Sequence, residues 1–218
     1  MTQAQILSSN RDVRAAMDQY GYAEDDEKVA RALRIVRSTH YFAAGEMLTS
    51  KKFFQQSMID GVGSNYAFPQ NETAVDIIGL KIIHGCRFAS TPVDIQNKIQ
   101  QQFELNSDFS LTYQRRQDRI AGSVSEFVPH MFVNNGGALV AVDKPNTNLN
   151  NGFFILPTPL QIAAKSSPEW NLTIPSGFAL GAAKNTGADA DPVIPGQAGK
   201  TAFIMLQLII EEKFVAQG

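Results

Sequence analysis

The sequence predicts an all-β protein, an antiparallel two-sheet sandwich preceded by a short helical arm, and three observations carry that expectation. From about residue 38 onward, apolar residues recur with period two, the signature of strands with one face turned to a core. Turn-forming residues such as Asp60-Gly61, Asn150-Asn151-Gly152 and Pro175-Ser176-Gly177 separate these stretches. Strands do not alternate with helical patterns, so a parallel βαβ sheet is excluded.

The first 37 residues read differently. "EDDEKVARALRIVR", residues 24–37, predicts a helix with Glu24 to Glu27 in its first turn, where the helix dipole favours acids. Val29, Leu33 and Val36 then fall at i, i+4 and i+7 and form a narrow apolar stripe. Arg31, Arg34 and Arg37 recur every three positions and are candidate contacts to an anionic surface. The expected division is therefore an arm over 1–37 and a sandwich over 38–218.

Within the sandwich the clearest alternation is "FELNSDFSLTY", residues 103–113. It places Phe103, Leu105, Phe109, Leu111 and Tyr113 inward, with Glu104, Asn106 and Asp108 outward. "WNLTI", residues 170–174, repeats the pattern with Trp170, Leu172 and Ile174 inside. "NNGG", residues 134–137, sits between two apolar runs and predicts a hairpin, because Asn and Gly tolerate positive φ. Further strands are expected over 38–44, 51–56, 73–85, 117–127, 152–156 and 160–164. "STPVDIQNKIQQQ", residues 90–102, predicts an interrupting helix, with Thr91 as cap and Pro92 at the first helical position. Residues 181–199 read as a long small-residue loop. Eight or more antiparallel strands suffice for a single jelly roll of two facing sheets.

The composition narrows the function. The 218-residue chain carries 19 basic and 21 acidic residues, a net charge of −2, which gives no electrostatic basis for sequence-specific or broad nucleic-acid binding. Cys86 is the one cysteine, so an intrachain disulfide and a multi-cysteine metal site are excluded. No apolar run approaches the roughly 20 residues that span a bilayer, and the first 20 residues lack the apolar core of a signal peptide. Synthesis and folding in a reducing cytoplasm are expected.

A search for catalytic chemistry finds no signature. His40, His84 and His130 lie far apart without a His-x-His pair, and are read as structural histidines. Glu72, Asp76, Glu104 and Glu126 offer carboxylate pairs only in the way any chain of this length does. "GVGSNYAF", residues 61–68, lacks the lysine and helix of a phosphate loop. "DADP", residues 189–192, is read as a solvated loop rather than a calcium site. The expectation is a non-enzyme without cofactor or metal.

The last strand raises a separate question. In "KTAFIMLQLIIEEKF", residues 200–214, Ala202, Ile204, Leu206, Leu208 and Ile210 are apolar on one face; Phe203, Met205 and Ile209 are apolar on the other. A sandwich strand has one dry face. Phe203, Met205 and Ile209, with Val29, Leu33 and Val36 of the arm, are therefore candidate assembly contacts.

Several stretches together resemble the jelly-roll major capsid proteins of tailless, internal-membrane icosahedral phages and related viruses. They are "KKFFQQSMIDGVGSNYAFPQNETAVDIIGLKIIHG", "FILPTPLQIAAKSSPEWNLTIPSGFAL" and the long apolar terminal strand. The likeness is one of layout, over about residues 38–218. It implies an icosahedral shell of many copies of the chain in a virion, with other virion proteins and the anionic lipid of an internal membrane as further partners. It supplies no catalytic residue. Two alternatives remain open at this level: a β-sandwich binding module of lectin-like or virion-attachment type, and a jelly-roll enzyme.

Overall fold

The computed structural model describes residues 29–43, 45–61, 63–68, 73–86, 101–114, 116–128, 132–135, 138–141, 153–175, 179 and 196–215. Ten strands occur among them. They are β1 (Val29–Ala43), β2 (Lys51–Phe53), β3 (Val75–Cys86), β4 (Asp108–Tyr113), β5 (Arg116–Ser123), β6 (Phe132–Asn135), β7 (Ala138–Ala141), β8 (Phe154–Ile162), β9 (Glu169–Thr173) and β10 (Lys200–Val215). Eight of them form two antiparallel four-stranded sheets, ordered β1-β10-β3-β8 and β2-β9-β4-β5. The expected all-β sandwich is present.

The pairing is nested. The first strand pairs with the last (β1 with β10), β2 with β9, β3 with β8, and β4 with β5 at the centre, all antiparallel. The eight strands thus form one long hairpin, folded so that successive pairs enter opposite sheets. β6 and β7 stand apart as a hairpin with Asn135 opposite Ala138, as "NNGG" predicts.

One apolar core joins the sheets. Val36, Ile77, Leu80, Ile82, Ile204, Leu206 and Leu208 from the first meet Phe109, Leu111, Trp170 and Leu172 from the second. Trp170 is fully buried at the centre. It stacks on Phe68 and Phe109, centroids 5.6 and 6.2 Å away, and meets Phe54 edge-on at 5.7 Å. The arrangement follows the offset and edge-to-face preferences of aromatic quadrupoles.

The strand expected over 117–127 ends at Ser123, where Val124–Phe127 turn helical, and the one expected over 51–56 ends at Phe53. The structure corrects three larger expectations besides. Residues 29–37 are strand, not helix: β1 runs 15 residues and pairs with β10 from Val29↔Val215 onward. The i, i+4, i+7 spacing of Val29, Leu33 and Val36 is real, but β10 is a 16-residue strand whose edge outweighs a marginal isolated helix. The sandwich therefore begins at Val29 and not at 38, and the rest of the expected arm, 1–28, lies outside the described residues.

Second, residues 101–106 are helical and β4 begins at Asp108. The alternation over 103–113 is thus split. Phe103, Phe109, Leu111 and Tyr113 are buried and Asn106 and Asp108 exposed, as expected. Leu105 is instead 69% exposed and Glu104 only 5%. At helical spacing, 103 and 104 share an inward face that 105 leaves. The helix extends past the expected end at 102; its expected start, with Thr91 and Pro92, lies outside the described residues. Third, residues 154–162 form a single strand, with Pro157 and Pro159 on a sheet edge where proline is tolerated.

The outer edge of β1 is capped. Asn65 and Ser64 stand in for a neighbouring strand: Arg37 N–H donates to Asn65 Oδ1 (2.8 Å), Asn65 N–H to the Arg37 carbonyl (3.0 Å), and Thr39 N–H to Ser64 Oγ (2.8 Å). Backbone groups that would template another chain are satisfied internally along this stretch.

Candidate functional site

Register places the two faces of β10. Facing the core are Ala202, Ile204, Leu206, Leu208 and Ile210, all buried. The other face is built in rows across β1, β10 and β3: Tyr41–Phe203–Gly85, Thr39–Met205–Ile83, Arg37–Gln207–Lys81 and Ile35–Ile209–Gly79. Two glycines shape it. A Cβ on Gly85 would stand 2.5 Å from the Phe203 ring, which lies over that glycine. A Cβ on Gly79 would meet the Ile155 side chain at 2.9 Å and the Phe154 carbonyl at 3.1 Å.

The outer face has a small core of its own at one end. Ile78, Phe153 and Ile209 are buried there, with Leu33, Ile35 and Ile155 packed against them. Toward the other end Phe203, Met205, Ile83 and Tyr41 are only half-buried. The six candidate assembly residues therefore separate. Ile209 is buried within the chain, Leu33 is partly buried beside it, and Phe203 and Met205 remain partly open. Val36 faces the main core and is fully buried. Val29 opens β1, and its side chain lies outside those described.

The candidate anionic-surface residues also separate. Arg34 Nη1 donates to both carboxylate oxygens of Glu212, at 2.9 and 3.0 Å. Its guanidinium carbon stands 6.0 Å from the Tyr66 ring centroid. Burial, reinforced by the Glu212 charge, pushes the Tyr66 phenol up to about 12. Arg34 is thus engaged by an acid of its own chain. Arg37 lies on the outer face, with Nε buried and without a hydrogen bond among the described residues. The side chain of Arg31 is outside those described.

Lys81, which sequence reasoning did not single out, is the cation at the middle of this face. Its Nζ lies 4.4 Å from the Phe153 ring centroid, a cation–π contact. Burial pulls its ammonium down to about 8. Below about pH 8 both folded and unfolded chains carry the proton, and the cost of burying the charge is fully present. Between about 8 and the ordinary lysine value the unfolded chain holds a proton that the native chain does not, so stability rises with pH across that window. Discounted for its partial solvation, the penalty is about 1–2 kcal/mol. Lys81→Met is expected to raise stability by that amount at neutral pH and to flatten the pH profile above 8; urea unfolding at a series of pH values measures both.

The second polar feature is interior. His84 Nε2 is hydrogen-bonded to Glu104 Oε1, joining β3 to the 101–106 helix, with the side chains only 5% and 7% exposed. His84 Nδ1 is buried without a hydrogen bond among the described residues, and Phe103 meets the imidazole edge-on. His40 stands in the same inner-face row, on the far side of Ile204, with Nε2 2.8 Å from the Lys52 carbonyl. Burial holds its pKa below the ordinary histidine value. His84 is closed in by packing and His40 is half-buried, and Phe53 meets the His40 ring edge-on. Among the described residues no three His, Cys, Asp or Glu side chains converge as a metal site. His130 and residues 189–192 lie outside the described residues.

No family model, no curated protein and no solved structure matches this chain.

Proposed function

We propose that the sandwich is a single jelly roll and that the chain is a structural subunit of a viral capsid, self-assembling into an icosahedral shell. The observation that carries this reading is the nested strand order. β1 pairs with β10, β2 with β9, β3 with β8 and β4 with β5, and the folded hairpin divides into sheets β1-β10-β3-β8 and β2-β9-β4-β5. Such wrapping of eight strands into two Greek keys is the jelly-roll plan. The fold alone hosts many functions, so the half-buried outer face of Phe203, Met205 and Ile83 supplies the second support. Burying side chains of this size contributes about 1.5–3 kcal/mol each, and a second copy of the chain is the occupant this reading assigns to them. Anionic lipid and other virion proteins are further partners only within the same reading.

Met205→Lys tests it. The charge lands on the open part of the face, so the sandwich is expected to stay folded, with an unchanged circular-dichroism spectrum. Desolvating an unpaired ammonium in the contact costs several kcal/mol, and particle yield in sedimentation should fall at least ~10-fold. A wild-type chain that remains monomeric at high concentration, or particles unchanged by Met205→Lys, would overturn the reading.

A further inference from the structure

β1 forms one edge of its sheet and β8 the other. β8 carries Pro157 and Pro159, which have no N–H to offer a further strand. β1 is 15 residues long and has no proline, so its edge is the one that invites strand addition. Two loops of the same chain close part of that edge. Asn65 bonds both the N–H and the carbonyl of Arg37. The Ser64 hydroxyl accepts from the Thr39 N–H and donates to the Thr39 carbonyl at 3.4 Å. Farther along, Glu46 Oε2 accepts from the Ala43 N–H (2.7 Å) and the Glu46 N–H donates to the Ala43 carbonyl (3.1 Å).

The loop 60–65 does this without a strand among its described residues. Its bonds to the β1 backbone run through Asn65 Oδ1 and Ser64 Oγ, with the Asn65 N–H as the one backbone group. Asp60 sets its shape. Asp60 Oδ1 accepts from the N–H groups of Gly63 and Ser64, both at 2.8 Å, while the N–H groups of Asp60 and Gly61 donate to the Ser64 carbonyl at 3.1 and 3.2 Å. Thr39 Oγ1 then donates to the Gly63 carbonyl at 2.6 Å and seats the loop on β1. The Tyr41 hydroxyl lies so close to Gly63 that a Cβ there would overlap it. The result is a turn that holds its own shape and meets the strand edge through side chains that a substitution removes.

We infer that the loop 60–65 is a displaceable guard that closes the β1 edge to strand addition. Seated, it stands where the next strand would lie and breaks the run that an incoming strand needs. Displaced, it leaves the N–H and carbonyl groups of Arg37 and Thr39 open side by side, on a strand whose other edge is held by β10. Such a row templates pairing with any extended chain, and in a solution of this protein the nearest such chain is another copy. The inference does not rest on the shell reading. It concerns an edge of the sheet and not its outer face, and a second chain enters only once the guard is removed.

The experiment removes the guard's side chains, Ser64→Ala with Asn65→Ala, in the full chain carrying Met205→Lys, so that the face contact of the shell reading is not mistaken for edge pairing. Far-UV circular dichroism, hydrogen exchange at the Arg37 and Thr39 amides, and sedimentation velocity over a range of concentrations are read beside the guarded Met205→Lys chain. In the guarded chain both amides are expected to be protected. In the unguarded chain each amide loses its acceptor and should exchange about tenfold faster or more in the monomer, with the spectrum unchanged. The unguarded chain should also associate as concentration rises, and protection should return at both amides in the associated species, which places the contact at this edge. Unchanged exchange would overturn the inference. So would open amides on a chain that stays monomeric at every concentration, or association that leaves them open. A lost spectrum would overturn it as well, because the loop would then be part of the fold and not a guard. Particles in the guarded Met205→Lys chain would count against the shell contact alone, and the exchange at Arg37 and Thr39 would still decide the guard.

Discussion

Trp170→Ala is expected to lower stability by about 3–5 kcal/mol, the range for removing a fully buried large aromatic. Trp170 is buried to the last atom, and its ring is shared by Phe54 after β2, Phe68 in the following loop and Phe109 on β4. These segments reach the ring from separate parts of the chain, so the cavity cannot be closed by shifting one of them. A domain stable by about 5–15 kcal/mol would lose a large share of its margin. Urea unfolding measures the loss, and Trp170→Phe, which keeps a stacked ring, should cost clearly less. A loss under about 1 kcal/mol from Trp170→Ala would mean that the two sheets do not close on this ring.

Glu104→Ala should destabilise by a similar amount, about 3–5 kcal/mol, because it breaks a buried polar pair and strands the other member. His84 Nδ1 already lacks a hydrogen bond among the described residues; removing the carboxylate strips Nε2 as well. Glu104→Gln keeps an oxygen that can accept from Nε2–H, and should cost only about 1–2 kcal/mol. Leu105→Ser, one residue along, should fall within about 0.5 kcal/mol of wild type because Leu105 is exposed. The strand reading of 103–113 orders these two positions the other way, so unfolding of Glu104→Ala beside Leu105→Ser decides between helix and strand in solution.

Much of the sandwich was legible from local pattern. Trp170, Leu172 and Ile174 alternate and are buried as read, and the strands on either side of "NNGG" pair antiparallel, with Asn135 opposite Ala138. Phe109, Leu111 and Tyr113 also face inward as read. The candidate face was legible too, as far as the sequence shows that β10 is apolar on both sides. It could not show that Ile209 would be closed in by Leu33, Ile35, Ile78, Phe153 and Ile155, because that cluster is gathered from four strands and the residue before one of them. Lys81 escaped notice because a lone lysine in an apolar run carries no motif; only the cross-strand register puts it in the middle of a face.

What the amino-acid sequence determined by itself was therefore the class: period-two alternation and turn chemistry are local, and they specify antiparallel strands wherever one face is buried. Tertiary structure alone decided the rest. Residues 29–37 carry helical spacing, yet β10 offers them a complete edge of backbone donors and acceptors, and pairing along 15 residues outweighs a helix with three apolar anchors. Glu104 looks like a solvated strand residue until the helix turns it toward His84, 20 positions earlier in the chain. The nested order of the strands is also invisible to local pattern, because alternation states which face of a strand is dry and not which strand lies beside it.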